Sequence, residues 1–228
     1  MKVAFLGKGG SGKSTMATAL VRHLCAQGLR VLAIDADHNM DLSFNLGADP
    51  TVFLGSDPDY IKEYVGSERA GTYAEALRVS KQNGIEFSLS PADAFTAAMS
   101  VPLSGGALLM TAGPHTPRVR AGDACSHSLA APLKVYLPRL RLRSGEWVVI
   151  DERAGTDPVA TGILRGVDLA IIVREPTVHS QRVAAQIARE LMLARIPHLI
   201  VDNKINTIEA DTSAAIDAVL PRAHAVST

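Results

Sequence analysis

Nine residues concentrate the chemistry available to this sequence: Gly7-Lys8-Gly9-Gly10-Ser11-Gly12-Lys13-Ser14-Thr15, between the apolar run Val3–Leu6 and an apolar-periodic stretch that reads as a helix. Glycines in such a turn let backbone N–H groups converge on phosphate oxygens with no Cβ in the way. A helix starting near Lys13 directs its positive end at the same place. Gly7, four residues, then Gly12-Lys13-Ser14 satisfies the P-loop pattern, in which Lys13 reaches the terminal phosphates and Ser14 offers its hydroxyl to Mg²⁺. Gly9, Gly10, Ser11, Gly12 and Thr15 complete the cradle. The same glycines also spell Gly7-x-Gly9-x-x-Gly12, a dinucleotide turn, and Asp35 stands about where such a turn wants an acid. Glycines alone do not separate the two readings. Lys13 followed by a hydroxyl does, because a triphosphate needs a cation and a metal-binding group in succession whereas a dinucleotide turn needs neither.

A nucleotide-hydrolysing site also needs carboxylates, since Mg²⁺ takes hard oxygen ligands and the attacking water must be positioned. Asp151 follows the apolar run Trp147-Val148-Val149-Ile150, a strand-plus-Asp pattern that supports a metal through water. Asp35 and Asp37 close the run Arg30–Ile34. Singly, acids at strand ends often only cap the next helix. Joined to the phosphate loop, they read as its second half.

The elements that must position these groups alternate. Strands are expected at Lys2–Leu6, Arg30–Ile34, Ala107–Thr111, Trp147–Ile150, Leu169–Val173 and Leu199–Val201, with helices at Lys13–Gln27, from near Ser126, and at Val178–Leu193. In the last, Val183, Ile187 and Leu191 face inward, Arg182, Arg189 and Glu190 outward. Near-continuous apolar strands alternating with helices predict a parallel, doubly wound α/β sheet with the loop after its first strand, as one domain over 1–228. Ligands belong at the carboxyl ends of such strands. From about Asn39 to Gly106 prolines and glycines interrupt short amphipathic pieces such as Tyr73–Val79, which reads as the variable, partner-facing part.

With 23 basic and 23 acidic residues the formal charge is zero, so no global field recruits nucleic acid or a membrane surface. Two distant cysteines, Cys25 and Cys125, and an opening apolar run too short for a secretory leader point to a reducing cytoplasm. Cys25 reads as a packed apolar group. His23, His115 and His198 have no partners at ligand spacing and read as structural; Lys134, Arg139, Arg141 and Arg143, interrupted by Pro138, read as a solvated helix end.

Lys8-Gly9-Gly10-Ser11-Gly12-Lys13-Ser14 resembles the deviant Walker A motif of the ParA, MinD, arsenite-pump and nitrogenase iron-protein group, whose mark is the extra Lys8. The resemblance implies an ATPase that closes as a homodimer around two nucleotides, Lys8 reaching the partner's phosphates. It implies that Asp37 positions the water, Asp35 supports the Mg²⁺ shell and Asn203 contacts adenine. Within the group the likeness is greatest to the CooC-type nickel-insertion ATPases of carbon monoxide dehydrogenase maturation. It covers most of the chain and rests on Val31–Asp37 with Asn39, Asp151-Glu152-Arg153-Ala154-Gly155, Arg165-Gly166-Val167-Asp168, Glu175-Pro176 and Asn203-Lys204.

Two departures bear on function. Where that type carries Cys-x-Cys as thiolate ligands at the dimer interface, this chain has Cys125-Ser126-His127. One thiolate and one imidazole per subunit, doubled across a two-fold axis, would make a Cys₂His₂ set suited to Zn²⁺ and compatible with Ni²⁺. The competing reading leaves Cys125 as packing and His127 as an exposed loop residue. The second departure is His38, where the group usually has Pro, beside Asp37. Terminal helices seen in some relatives are expected to be short, since the chain ends soon after Leu220-Pro221.

The implied partners are a second copy and a client metalloenzyme. The alternative is a ParA- or MinD-like positioning or partitioning ATPase without a metal site. Balanced charge disfavours DNA for it, and Ala214–Thr228 lacks the basic amphipathic helix of a membrane tether. An iron–sulfur reductase would need two interface cysteines and finds only Cys125.

Overall fold

Side chains alternate across a strand, so a strand buried on both faces feeds two cores. In a computed structural model, which describes residues 1–205, the first strand does this: Val3 and Phe5 join one buried cluster, Ala4 and Leu6 the other. In chain order the elements are β1 (Lys2–Gly7), α1 (Lys13–Ala26), β2 (Arg30–Asp35), α2 (Asp41–Asn45), α3 (Tyr60–Tyr64), α4 (Tyr73–Gln82), β3 (Phe87–Ser88), α5 (Ala94–Ala98) and β4 (Ser100–Pro102). There follow β5 (Leu108–Thr111), α6 (Pro117–Arg120), α7 (Leu133–Arg139), β6 (Leu140–Arg141), β7 (Glu146–Asp151), α8 (Asp157–Ala160), β8 (Leu169–Arg174), α9 (Val178–Ala194) and β9 (His198–Asp202).

Seven strands form the main sheet in the order β4-β5-β2-β7-β1-β8-β9, with β3 and β6 as a separate pair. All neighbours in the main sheet are parallel except β4 on β5, so the sheet is doubly wound as expected, with an antiparallel edge. Helix α1 buries Ala17, Leu20, Val21 and Leu24 against one face, and α9 buries Ala184, Ile187 and Leu191 against the other. Register places the chemistry. Asp151 pairs with Asp35 on one side and Phe5 on the other, so both acids and the loop after Gly7 meet at the carboxyl ends of three adjacent strands.

Three expectations are refined. The stretch Asn39–Gly106 is not merely peripheral: it sends Leu54, Ile61, Val65, Phe87, Leu89 and Phe95 into the larger core, where Phe87 and Phe95 pack on Tyr136. The Tyr136 hydroxyl, buried there, meets Thr96 Oγ1 at 2.8 Å. Near Ser126 there is only a single 3₁₀ turn, Ser126–Ser128, and the helix proper begins at Leu133 after Pro132. The basic residues around Pro138 do not share a solvated helix end. Arg139 is buried, donating from Nε to the Ile85 carbonyl at 2.7 Å, and Arg141 pairs with Glu86 at 2.8 Å. The expectations for Ala214–Thr228 and the terminal helices lie outside the described residues.

Candidate functional site

The turn after β1 takes its shape from residues without side chains. Gly12 holds φ +99° as it opens α1, a conformation that L side chains rarely adopt, and a Cβ there would run into the Asn203 amide. Ser11 N–H donates to the Lys8 carbonyl at 3.1 Å and closes the loop. Lys13, 7% exposed, lays its ammonium 3.4 Å from that same carbonyl, while Ser14 and Thr15 follow in the first turn of α1. Beside them is a cleft of about 280 Å³, lined by Gly10, Gly12, Lys13, Ser14, Asp41 and Lys204 among others.

Two polar atoms in this arrangement are buried without a partner among the described residues: Ser11 Oγ and Asp151 Oδ1. A buried acceptor left unmatched is costly, and such atoms mark where a ligand completes the bonding. Burial pushes the Asp151 carboxyl up to about 7, partly opposed by the Ser14 hydroxyl and Lys13. Ser14 and Asp151 are hard oxygen donors on either side of the loop's lysine, so the residues fit Mg²⁺. Asp35, also pushed up by burial, to about 6, is committed to structure: Oδ2 accepts from the Ser43 N–H at 2.8 Å and the Ser43 hydroxyl at 2.7 Å, fastening α2 to β2. Asp37 stands at the rim. Its Oδ1 accepts from Asn39 N–H at 3.1 Å, and His38 lies against it with Nδ1 3.3 Å away. The His38 ring stacks on His115 at 4.2 Å, so His115, read as unpartnered, has a partner.

Lys8 does not enter this cradle. Its ammonium faces Glu175 at 3.6 Å, and Glu175 also takes Lys204 at 2.6 Å, which in turn donates to the Gly10 carbonyl at 2.6 Å. Lys204 and Lys8 hold the Glu175 carboxyl below the usual range. Asn203 donates from Nδ2 to the Ser11 carbonyl at 2.8 Å. The end of β9 is thereby tied over the loop. Glu175 and Lys204 were visible in the sequence only as part of a resemblance, because nothing in spacing says that residues 8, 175 and 204 meet.

Cys125 and His127 lie together on the exposed turn before α7. Cys125 Sγ is 2.6 Å from His127 Nδ1, and His127 Nε2 donates to Asp157 Oδ2 at 2.7 Å. A carboxylate only accepts, so the proton on Nε2 is fixed and Nδ1 faces the sulfur. The histidine draws the thiol pKa down, and Cys125 and Asp157 raise that of the imidazole. Sequence reasoning missed Asp157, thirty residues on. A carboxylate behind a histidine is what a metal-binding imidazole usually has. One chain offers only two donors facing each other, and no group of three His, Cys, Asp or Glu able to hold a metal occurs among the described residues. Between this turn and the nucleotide loop runs the segment after β7, where, among the described residues, the fully buried Glu152 has no hydrogen-bond partner at either oxygen and the nearly buried Arg153 has none at Nε and one terminal nitrogen.

The comparisons with known proteins follow the same lines. The CobQ/CobB/MinD/ParA nucleotide binding domain matches residues 3–218. The carbon monoxide dehydrogenase accessory protein CooC of Rhodospirillum rubrum is 34% identical over 203 residues, 87% of this chain and 73% of that protein. An uncharacterised ATP-binding protein of Methanocaldococcus jannaschii is 31% identical over 193 residues, 82% of this chain and 72% of its own length. Among solved structures, septum site-determining protein MinD with Mg-ADP from Pyrococcus horikoshii matches 95% of this chain and 76% of its own with a TM-score of 0.60. A ParA family ATPase from Chlorobium tepidum matches 96% and 79% at 0.56. Both are 19% identical, which carries the fold. No described helix is long and apolar enough to cross a membrane. The chain is thus a P-loop ATPase and belongs to the CobQ/CobB/MinD/ParA nucleotide-binding family.

Proposed function

We propose that this ATPase is a dimerisation switch: two copies close around two nucleotides, hydrolysis reopens them, and the cycle changes what the Cys125 turn offers a client metalloenzyme. The observation that carries it is the division of labour between the two lysines. Lys13 is buried within its own loop, whereas Lys8 sits half-buried at the rim on an exchangeable ion pair with Glu175. A rim lysine held by a partly exposed pair is available to a second copy at small cost.

Within each cradle Lys13 and the loop amides neutralise the polyphosphate, and Asp37 holds the attacking water in line. Ser14 and Asp151, with Asp35 behind them, would hold Mg²⁺, which would supply further charge neutralisation when bound. Asn203 moves from the Ser11 carbonyl to the base. Turnover is slow in the monomer, because the second lysine is missing there. At the other end of the switch, Cys125 Sγ and His127 Nδ1 from each copy make a four-donor set for Ni²⁺ or Zn²⁺, with Asp157 orienting the ring. The likeness to CooC, a carbon monoxide dehydrogenase accessory protein, supports a carbon monoxide dehydrogenase as client, and the two distant cysteines support the cytoplasm as location.

Sizing the protein with and without ATP, Mg²⁺ and a divalent transition metal tests this. A dimer that forms with ATP and is lost in Lys8→Ala, together with metal binding of one ion per dimer lost in Cys125→Ser and His127→Ala, is the expected result. An unchanged monomer–dimer balance in Lys8→Ala would refute the trans role of that lysine; metal binding indifferent to both turn substitutions removes the cargo.

A further inference from the structure

Away from the nucleotide loop, a second cavity of about 410 Å³ opens between the start of α4 and the segment after α8, lined by Gly71, Thr72, Tyr73, Lys134, Thr161 and Arg165 among others. Its volume is that of a small-molecule pocket. Two cations line it, and neither Lys134 nor Arg165 has a carboxylate within ion-pair distance among the described residues. Nor are they the only positive charges there. Burial lowers the Lys134 pKa, and the charges of Arg165 and of Arg153 lower it further, so the three repel one another. Arg153, 8% exposed, has two guanidinium nitrogens without a hydrogen-bond partner among the described residues, and the carboxyl near it, Glu152, is fully buried and pushed toward its neutral form. Like charges gathered without compensation destabilise the fold that gathers them, and an anion placed among them reverses the sign.

The rest of the wall is mixed. Helix α4 runs ten residues and starts here, with Thr72 as its cap accepting from Glu75 N–H and the Glu75 carboxylate accepting from Gly71 N–H at 3.3 Å. Thr161, whose hydroxyl proton is already given to the Asp157 carbonyl at 2.7 Å, offers a ligand only an acceptor oxygen and so does nothing to hold an anion. Tyr73, Ala74 and Leu77 make one side apolar. From the paired cations, the orphaned guanidinium behind them and the mixed wall, we infer that this cavity binds a small phosphate-bearing anion, such as a phosphate monoester, independently of the nucleotide loop.

The test uses inorganic phosphate and glycerol 2-phosphate as probes on the full chain, free of nucleotide and divalent ions, with chloride adjusted to constant ionic strength. The Lys13→Gln background removes the loop's own attraction for phosphate. Calorimetric titration there is expected to show saturable binding, weakened about tenfold by Lys134→Gln or by Arg165→Gln, the loss of one charge-assisted bond. Without phosphate, Lys134→Gln is expected to raise the melting temperature, because it removes one of three mutually repelling charges. Should Lys13→Gln fail to fold, the intact chain is expected to show two phosphate sites, and Arg165→Gln to weaken one of them about tenfold while leaving the other unchanged. No saturable binding beyond the nucleotide loop, or binding of equal strength in Lys134→Gln and Arg165→Gln, overturns the assignment whatever the fate of the dimerisation switch.

Discussion

Glu152 has no hydrogen-bond partner among the described residues and is fully buried, and that burial, only partly opposed by the charge of Arg153, pushes its carboxyl up to about 8. In the nucleotide-free and metal-free protein the native state therefore keeps a proton that the unfolded chain gives up above about pH 4.5. Stability falls with rising pH between that value and about 8, by on the order of 1 kcal/mol per pH unit, and is flat beyond. Glu152→Gln lacks this dependence. Chemical denaturation at pH 5, 6.5 and 8 is expected to show the variant drawing level at the low end and leading increasingly toward pH 8; parallel curves would mean that Glu152 is already ionised in the fold. Asp157 is a different kind of residue, exposed and acting through its neighbour. Asp157→Asn keeps the shape but no longer fixes the His127 proton, and zinc titration is expected to show affinity down about ten- to a hundredfold with Cys125 intact. These two acids also show what a sequence conceals. Asp151 could be found because an apolar run ends on it, but Asp157 owes its role to a contact across thirty residues, and no periodicity records that.

At the scale of elements, the strands and long helices were legible because each carries a strong pattern. Val178–Leu193 was expected and Val178–Ala194 is found; the strand at Trp147–Ile150 extends by one residue at each end to Glu146 and Asp151. What pattern could not reveal were pieces of two to five residues: β3 and β6, the antiparallel β4, and α2, α3 and α5. Their stability comes from tertiary partners, such as the Asp93 carboxylate that caps α5 at 2.9 Å from Phe95 N–H, rather than from local preference. The phosphate loop is the opposite case, where local sequence dictates shape. Gly12→Ala puts a side chain at φ +99° and against the Asn203 amide. Denaturation is expected to show a loss of about 1–3 kcal/mol, and nucleotide binding should be lost with it; wild-type stability would mean that the loop has an alternative course.

For the whole molecule, the decisive contacts join the two ends of the described chain: residues 8, 10 and 11 with 175, 203 and 204. The resemblance named these segments but not their meeting, which depends on β1 and β8 lying side by side with β9 beyond. Glu175 there restrains both rim lysines. Glu175→Gln is expected to change monomer stability by no more than about 1 kcal/mol, since partly exposed pairs contribute little. By contrast, sedimentation with ATP and Mg²⁺ should find the monomer–dimer midpoint at lower protein concentration, because Lys8 is released. A midpoint at higher concentration would make the carboxylate part of the closed form.

The sheet's antiparallel margin bears on how such a pair could be built. β4 is three residues long and stops at Pro102, which has no N–H to give, so that flank offers a newcomer almost no ladder to extend. Two copies cannot zip together along it into a continuous fourteen-strand ribbon, and a crowded solution should not seed fibrils from that border.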